Sequence, residues 1–251
     1  MSKTVPRIST RGYYDLRTGK TIKKNSYFLY PKKDFEKLIG TKELVIMIHG
    51  LRNDNTGAIA KAVIAKNRLR NVGYSFPVIG YSYDSNTTGA HLIKYAKRAL
   101  ATGQIIAKKN GRNLSLFIQD FKEKSPNTKI RLMGHSLGSQ VILSTIEHLS
   151  KKSKNKGIVE SVYLFGASIT EDIPSSKKYG KLLNTVVSKK IVNYYSPHDE
   201  VLYWANKQKF VKGPLGLNGA TGKTISKYHQ KSVKPKNHRF ASYAAVLPVF
   251  P

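Results

Sequence analysis

Apolar residues fall into short runs along the chain, and longer amphipathic stretches separate these runs. The run from Leu44 to Ile48, within a predicted strand at 43–49, is continuously apolar rather than alternating. Such a run is typical of a parallel strand that helices cover on both faces. Similar apolar or β-branched runs predict four further strands, at 74–83, 129–133, 159–165 and 190–195. We therefore expect five strands in the main body of the sheet.

Helical patterns occupy the stretches between these strands. They cover residues 56–70, 88–123, 137–151 and, more weakly, 175–187. We expect the second of these helices to be broken near Gly103 and Gly111. Strands and helices thus alternate, which predicts an α/β fold with a mostly parallel central sheet and helices on both faces. Ligands of such sheets bind at the carboxyl ends of the strands.

Two segments depart from this alternation. Residues 7–15 and 21–30 resemble two strands joined by a turn at 17–20, which predicts an N-terminal antiparallel hairpin within a lead-in of residues 1–41. Residues 206–239 are rich in glycine and lysine, and they predict a long basic functional loop or, in part, a strand. We assign the whole of residues 1–251 to one domain, because a chain of this length that is 40% hydrophobic can bury one substantial core.

A nucleophile motif lies between a strand and a helix. The sequence from Gly134 to Gly138 matches G-x-S-x-G, and it comes directly after the predicted strand that ends at Met133. Both glycines relieve crowding around a serine that occupies a strained turn. The following helix directs a positive dipole toward developing negative charge. This context predicts that Ser136 is a nucleophile.

A serine nucleophile requires a histidine base, which in turn requires a carboxylate that fixes its tautomer. In this kind of site the acid follows the serine along the chain. Asp199 directly follows the strand at 190–195 and is the favoured acid, because this position places it at the carboxyl edge of the sheet. The alternatives are Glu200, next to it, and Glu171 or Asp172, which follow the preceding strand.

The base should follow the acid, and only two histidines do so. His238 directly precedes an apolar segment at 240–247 that predicts a final helix, so a loop could hold it over the serine. His229 lies within the lysine-rich segment and is favoured as a surface residue. We therefore expect His238 to be the base.

Ester hydrolysis also requires hydrogen-bond donors for the oxyanion. The backbone amide of Leu137, directly after the serine, is one candidate. The second is the amide of Leu51, since His49 and Gly50 follow the first predicted central strand and glycine lets the backbone turn toward the site.

Together these segments resemble the α/β-hydrolase superfamily, in particular compact carboxylesterase-like and lipase-like microbial members. The resemblance covers residues 42–250 and rests on four segments: His49-Gly50, the G-x-S-x-G motif, residues 196–201 and Asn237-His238. It implies an enzyme that cleaves carboxylic esters, thioesters or lactones, and it does not identify a substrate. Two features depart from the family pattern: Ser139 stands where lipases often have a further glycine, and a long basic insertion precedes His238.

No cofactor is expected. The chain contains no cysteine, which excludes disulfides and cysteine-ligated metals. A metal site made of His198, Asp199 and Glu200 is disfavoured because consecutive residues do not easily converge on one ion. No signal peptide and no membrane-spanning segment is recognised in the sequence, so we expect a cytoplasmic location.

The formal net charge of +30 favours anionic partners. It suggests two classes of function: an esterase acting on a small-molecule or lipid ester, or a catalytically idle hydrolase fold that binds nucleic acid or anionic membrane through its lysine-rich surface. An idle fold would not need serine, acid, base and oxyanion glycine together, so the enzyme is favoured. The lysine-rich segment 207–239 is expected to pass near the mouth of the site and to favour anionic substrates.

Overall fold

The computed structural model describes residues 5–24 and 26–251, and its core is one eight-stranded sheet. The strands are β1 (Arg7–Ser9), β2 (Phe28–Tyr30), β3 (Glu43–Ile48), β4 (Val78–Ser82), β5 (Lys129–His135), β6 (Val159–Phe165), β7 (Val187–Tyr195) and β8 (Tyr228–Ser232). Their order across the sheet is β2-β1-β4-β3-β5-β6-β7-β8. β1 and β2 are antiparallel, and all other neighbouring pairs are parallel. The predicted α/β architecture, including its N-terminal antiparallel pair, is confirmed.

Helices cover both faces of this sheet. They are α1 (Lys32–Glu36), α2 (Asn55–Asn71), α3 (Ala96–Lys124), α4 (Gly138–Ser150), α5 (Gly180–Val186), α6 (Glu200–Lys207), α7 (Leu215–Asn218) and α8 (Phe240–Ala245). α3, α4 and α5 contribute to the apolar core on one face, whereas α2 and α8 contribute to a second core on the other face. No helix in the described part of the chain is both long enough and apolar enough to cross a membrane.

β3 shows why its sequence is continuously apolar. Ile46 and Ile48 belong to the core beneath α3 and α4, while Val45 and Met47 belong to the core beneath α2 and α8. Successive side chains of a strand point to opposite faces, so a strand buried on both faces is apolar at successive positions, and its one polar residue, Glu43, is paired with Arg131 of β5.

The N-terminal hairpin is shorter than predicted. Each strand has three residues, and beyond them the hairpin continues only as an isolated bridge between Tyr14 and Thr21. The carboxylate of Asp84 accepts hydrogen bonds from the amides of residues 12–14. Because these amides bind a side chain, they are not available to a neighbouring strand. Residues 1–4 and Asn25, which belong to the predicted lead-in, lie outside the described residues.

The expected break in the second helix is wrong. α3 runs without interruption from Ala96 to Lys124, and both Gly103 and Gly111 are buried inside it. A β-carbon at residue 111 would lie 2.4 Å from Cβ of Ser144 on α4. Gly111 therefore allows two helices to pack closely and does not end a helix, although it lowers intrinsic helix propensity.

The segment 206–239 is not one long loop. It contains the end of α6, the short helix α7 and the edge strand β8, which pairs with β7 in parallel. Nζ of Lys227 donates to the carbonyl oxygen of Val187 at 2.7 Å, at the first residue of β7. β7 is nine residues long, which is about 26 Å between its first and last residues. Lys227 is therefore far from the carboxyl edge of the sheet. Residues 210, 211, 237 and 239 line the cavity that contains Ser136, so the two ends of the basic segment pass near the site and its middle does not.

Two buried histidines stand at the carboxyl ends of β3 and β5. Nε2 of His49 accepts a hydrogen bond from the Tyr83 amide at 3.3 Å, and its Nδ1 donates to the carbonyl oxygen of Gly50 at 2.9 Å. Nε2 of His135 donates to the carbonyl oxygen of residue 238 at 2.8 Å. Burial, together with nearby positive charge, lowers the pKa of each ring to about 3. Both rings are neutral in the folded protein.

We expect Gly111→Ala to lower the free energy of unfolding by about 1–2 kcal/mol. The substitution gains about 1 kcal/mol in helix propensity, but overpacking against Ser144, with an approach of only 2.4 Å, costs about 2–3 kcal/mol, the upper part of the usual range. Urea denaturation measures the difference. Gly103→Ala is the matched control, because its new methyl group meets the flexible ends of Leu51 and Leu137. An equal effect of the two substitutions would contradict the proposed role of Gly111.

We also expect the protein to lose stability as the pH falls from 6 to 4.5. The folded pKa of His49 and of His135 is about 3, below the ordinary value of about 6.5, so the unfolded chain binds more protons in this range. Each buried ring then removes about 1.4 kcal/mol of stability per pH unit. Urea denaturation at several pH values should show that His135→Gln reduces this slope by that amount. The exposed control His229→Gln should leave it unchanged; equal slopes in all three proteins would refute the argument.

Candidate active site

Ser136 lies in a strained turn between β5 and α4. Its φ angle is +52°, in the left-handed region that residues other than glycine rarely adopt. A β-carbon at position 138 would lie 2.4 Å from the carbonyl oxygen of Ile48, and one at position 134 would lie 2.6 Å from Cδ1 of Ile142. Gly138 is therefore required by its close approach to backbone, whereas Gly134 is confined by the movable end of a side chain, and the turn holds Ser136 at the carboxyl edge of the sheet.

Hydrogen bonds hold both the amide and the carbonyl group of Ser136. Its amide donates to the carbonyl oxygen of Phe165 at 3.0 Å, and its carbonyl oxygen accepts from the amide of Ser139 at 3.0 Å. The hydroxyl of Ser139 donates to the same carbonyl oxygen at 2.6 Å. The serine found where lipases often have glycine thus helps to fix the strained turn.

The side chains of Ser136, His238 and Asp199 form a continuous hydrogen-bonded chain. Nε2 of His238 lies 2.9 Å from Oγ of Ser136, and its Nδ1 lies 2.6 Å from Oδ2 of Asp199. Asp199 follows β7 and caps the N-terminus of α6, whereas His238 lies between β8 and α8. The structure brings the three predicted side chains together, with the imidazole between hydroxyl and carboxylate, as a histidine base requires.

Asp199 is fully enclosed and accepts three hydrogen bonds. Besides His238, Oδ2 accepts from the hydroxyl of Tyr243 at 2.6 Å, and Oδ1 accepts from the amide of Leu202 at 3.1 Å. Burial disfavours the charged carboxylate, but the hydrogen bonds and the attraction of His238 outweigh it and lower the pKa of Asp199. The pKa of Tyr243 is raised by burial and by the charge of Asp199, so its hydroxyl stays a donor.

Sequence reasoning did not identify Tyr243. It lies on α8, five residues after His238, within an apolar segment where a tyrosine looks like an ordinary core residue. Only the fold shows that its hydroxyl meets a carboxylate. A buried tyrosine directly after the candidate histidine was the one available signal, because a buried phenol requires a hydrogen-bond partner.

The alternative acids and base lie elsewhere. Asp172 is 45% exposed and accepts from Thr170, and the amide of Glu171 donates to the carbonyl oxygen of Gly213. Glu200 faces the cavity described below, but Asp199 holds the bond to the imidazole. His229 is exposed on the edge strand β8. The contacts therefore favour Asp199 and His238 over their alternatives, while the catalytic roles stay a prediction.

The predicted oxyanion donors flank the serine. A β-carbon at residue 50 would lie 2.9 Å from Cβ of Ser136, so Gly50 lets the loop after β3 pass directly beside the serine. Leu51 and Leu137 both line the same cavity as Ser136. Among the described residues, neither of their amides donates to a backbone carbonyl oxygen. The two residues thus line the cavity of the serine with amides that bind no backbone carbonyl oxygen, and their role in stabilising an oxyanion stays a prediction.

A cavity of about 950 Å³ opens over Ser136 and His238. Most of its wall is apolar and comes from the chain before α3, from α3 itself and from α6 with the residues that follow it. Examples are Ile93, Leu100, Val201, Trp204 and Phe210. A space of this size and character can accept the apolar part of a small organic molecule or a lipid.

Several solved structures are similar to this chain, although only distantly. A serine hydrolase homologue from Coxiella burnetii is 10% identical, with 82% of each chain covered and a TM-score of 0.41. A cutinase from Trichoderma reesei, solved with a phosphonate inhibitor, is 17% identical, with 51% of this chain and 57% of the cutinase covered and a TM-score of 0.37. A cutinase-like protein from Cryptococcus is 11% identical, with 76% and 75% covered and a TM-score of 0.35. The assignment of the α/β-hydrolase fold rests on the strand order and on the turn at Ser136.

A curated relative corrects one expectation from the sequence. An uncharacterised membrane protein of Caenorhabditis elegans is 41% identical over 104 residues, which are 40% of this chain and 16% of the worm protein. The expected cytoplasmic location is contradicted by this relative. The expectation rested on the sequence of this chain alone, which spans only a small part of the relative's length.

A family model matches residues 85–218, which contain β5, the turn at Ser136 and Asp199. These 134 residues are more than half of the chain. The chain belongs to the family described as protein of unknown function DUF726.

Proposed function

We propose that the protein is a serine hydrolase that cleaves carboxylic ester, thioester or lactone bonds through an acyl-serine intermediate. The observation that carries this proposal is the hydrogen-bonded chain from Ser136 through His238 to Asp199, with distances of 2.9 and 2.6 Å. Nucleophile and base are within hydrogen-bonding reach, and the base is oriented by a third, buried group.

In the proposed reaction, Oγ of Ser136 attacks the carbonyl carbon while Nε2 of His238 takes its proton. The amides of Leu51 and Leu137 would stabilise the oxyanion that forms, a contribution of about 3–4 kcal/mol for one well-placed donor in comparable sites. His238 then returns the proton to the departing alcohol or thiol. Water, activated by the same imidazole, releases the acid from Ser136. Asp199 stabilises the charged imidazole throughout.

The strain at Ser136 favours an active enzyme over an idle binding module. A serine held at φ +52° costs of order 1 kcal/mol or more, and the surrounding contacts must maintain it. Burial of the carboxylate of Asp199 is a second cost, which only its three hydrogen bonds offset. A binding surface would need neither feature. Both are useful when a hydroxyl must stand beside a base and an oxyanion site.

The apolar cavity indicates the type of substrate. Its wall is formed mainly by aliphatic and aromatic side chains, so the acyl group or the alcohol of the substrate should be apolar. Arg52, Lys61 and Arg239 also line the cavity, and Glu200 is its one carboxylate among the lining residues. An amphiphilic ester with an apolar chain and an anionic or neutral polar end fits this lining.

Ser136→Ala should abolish hydrolysis of p-nitrophenyl esters, with a loss of about 10⁴-fold or more, because the hydroxyl forms the covalent intermediate. A fluorophosphonate probe should label the unmodified protein at Ser136, and peptide mass mapping identifies the site. Ser232→Ala, which removes an exposed serine hydroxyl on β8, is the matched control and should still be labelled. Labelling of the Ser136→Ala protein to the same extent would contradict the proposal.

The acid and the base are tested by paired substitutions on an ester that the unmodified protein hydrolyses. Asp199→Asn and His238→Ala should each reduce kcat by about 10³-fold or more, since both groups belong to the hydrogen-bonded chain. Asp172→Asn and His229→Ala are the controls and should change kcat less than about threefold, because neither contacts the site. A large loss of kcat in a control protein would contradict the assignment and would indicate that the substituted residue is the acid or the base.

A further inference from the structure

Exposed apolar side chains gather at the mouth of the cavity. One group is Leu92, Ile93 and Tyr95, on the chain that leads into α3, and Ile93 is 83% exposed. The second group is Val201, Tyr203 and Trp204 on α6, with exposures of 52%, 58% and 39%. We call these six residues the apolar rim. Exposed apolar residues that occur singly are ordinary, whereas a group around a cavity marks a surface that binds something apolar.

The apolar rim is continuous with the interior of the cavity. Ile93, Val201 and Trp204 are exposed to solvent and also line the cavity that contains Ser136 and His238. The ring of Trp204 packs edge-to-face on Phe210, a further lining residue, with ring centroids 5.0 Å apart. Apolar side chains therefore extend from the rim into the wall of the cavity that contains the serine.

Basic side chains alternate with the apolar rim. Lys94, Lys97 and Arg98 are exposed beside the first group, and Lys94 lies 4.9 Å from the centre of the Tyr95 ring. Exposed lysines also follow the second group, at positions 207, 209 and 212. Lysine and arginine stems can lie along apolar surface while their charges reach phosphate groups, and tyrosine and tryptophan prefer the level of lipid head groups.

We infer that the apolar rim docks on an anionic lipid bilayer, so that an acyl chain enters the cavity directly from the membrane. The entry of a substrate chain rests on the proposed function, whereas the docking does not. Neutral lipid would leave the basic residues without partners. Anionic lipid satisfies both features, because its head groups attract the lysines and its acyl region accepts the apolar side chains.

Nucleic acid fits this surface less well. Phosphates would attract the basic residues, and bases could stack on Tyr203 or Trp204. Exposed aliphatic side chains such as Leu92, Ile93 and Val201 have no favourable partner on a nucleic acid backbone. Their removal from water requires an apolar phase, which a bilayer provides.

The chain contains a single tryptophan, and it lies in the apolar rim. Trp204 therefore reports docking without any label. The experiment uses residues 1–251 carrying Ser136→Ala, so that no lipid is consumed. Vesicles of phosphatidylcholine alone are compared with vesicles that contain roughly 30% phosphatidylglycerol, whose anionic head groups attract basic residues. We expect a blue shift of Trp204 emission with the anionic vesicles only, quenching by acyl chains brominated near the head group, and weaker binding at high salt.

Paired substitutions separate docking by the rim from simple attraction between charges. Ile93→Ser with Tyr203→Ser should weaken sedimentation with the anionic vesicles at least tenfold. Ile22→Ser with Val249→Ser is the matched control: these residues are 63% and 64% exposed, do not line the cavity, and should leave binding unchanged. Thermal unfolding of both double variants checks that they fold.

Three outcomes would overturn the inference. In the first, the vesicles bind the protein but Trp204 neither shifts nor is quenched. In the second, the rim variant and the control variant bind vesicles equally well. In the third, a DNA duplex shifts Trp204 emission and anionic vesicles do not. Failure of the proposed function would look different, since the serine probe would then leave Ser136 unlabelled while docking persisted.

Discussion

The site depends on a close approach of two backbone segments at the carboxyl ends of β3 and β5. The turn that follows β5 lies so near the end of β3 that a β-carbon at residue 138 would fall 2.4 Å from the carbonyl oxygen of Ile48. In the reverse direction, a β-carbon at residue 50 would fall 2.9 Å from Cβ of Ser136. Glycine at both positions removes these clashes. The approach places the candidate oxyanion amides beside the serine, and it allows the strained turn to persist.

Parallel topology brings the remaining groups to the same place. β5 and β7 both end at one edge of the sheet, so the residues after them, Ser136 and Asp199, share that edge although β6 lies between the strands. His238 follows β8, which is parallel to β7 and ends at the same edge, and it precedes α8. The hydroxyl of Tyr243 then joins α8 to Asp199, so the helix that follows the base also holds the acid. One short helix thereby positions two members of the hydrogen-bonded chain.

Much of this arrangement could be predicted because it depends on local patterns. Glycines around Ser136 mark a turn that only a few residue types permit, and Asp199 follows a strand whose apolar run is easy to recognise. The base could be chosen because only two histidines follow the acid. These arguments use the order of residues and the strand ends, and neither requires knowledge of which side chains touch.

The features that sequence reasoning missed depend on contacts between distant segments. The sequence predicts a strand within residues 206–239 only as an alternative to a loop, because β8 is a polar and largely exposed edge strand whose sequence lacks an apolar run. Gly111 looks like a helix breaker until Ser144 of a neighbouring helix is placed beside it. Asp84 ends the N-terminal pairing by binding three amides from a segment 70 to 72 residues earlier. In each case the deciding partner is far away in the sequence.

Net charge is a further property whose location in the structure could not be predicted from the sequence. A total of +30 predicts attraction to anions, but the total does not say where that attraction acts. Lys227, expected near the site, instead binds carbonyl oxygens at the opposite end of β7. Lys94 and Lys97, which belong to no recognisable motif, lie beside exposed apolar side chains at the mouth of the cavity. Charged side chains select a specific partner only where the fold places them next to a surface of another kind, such as exposed apolar side chains. The combination selects a partner that neither the charge nor the apolar surface would select alone.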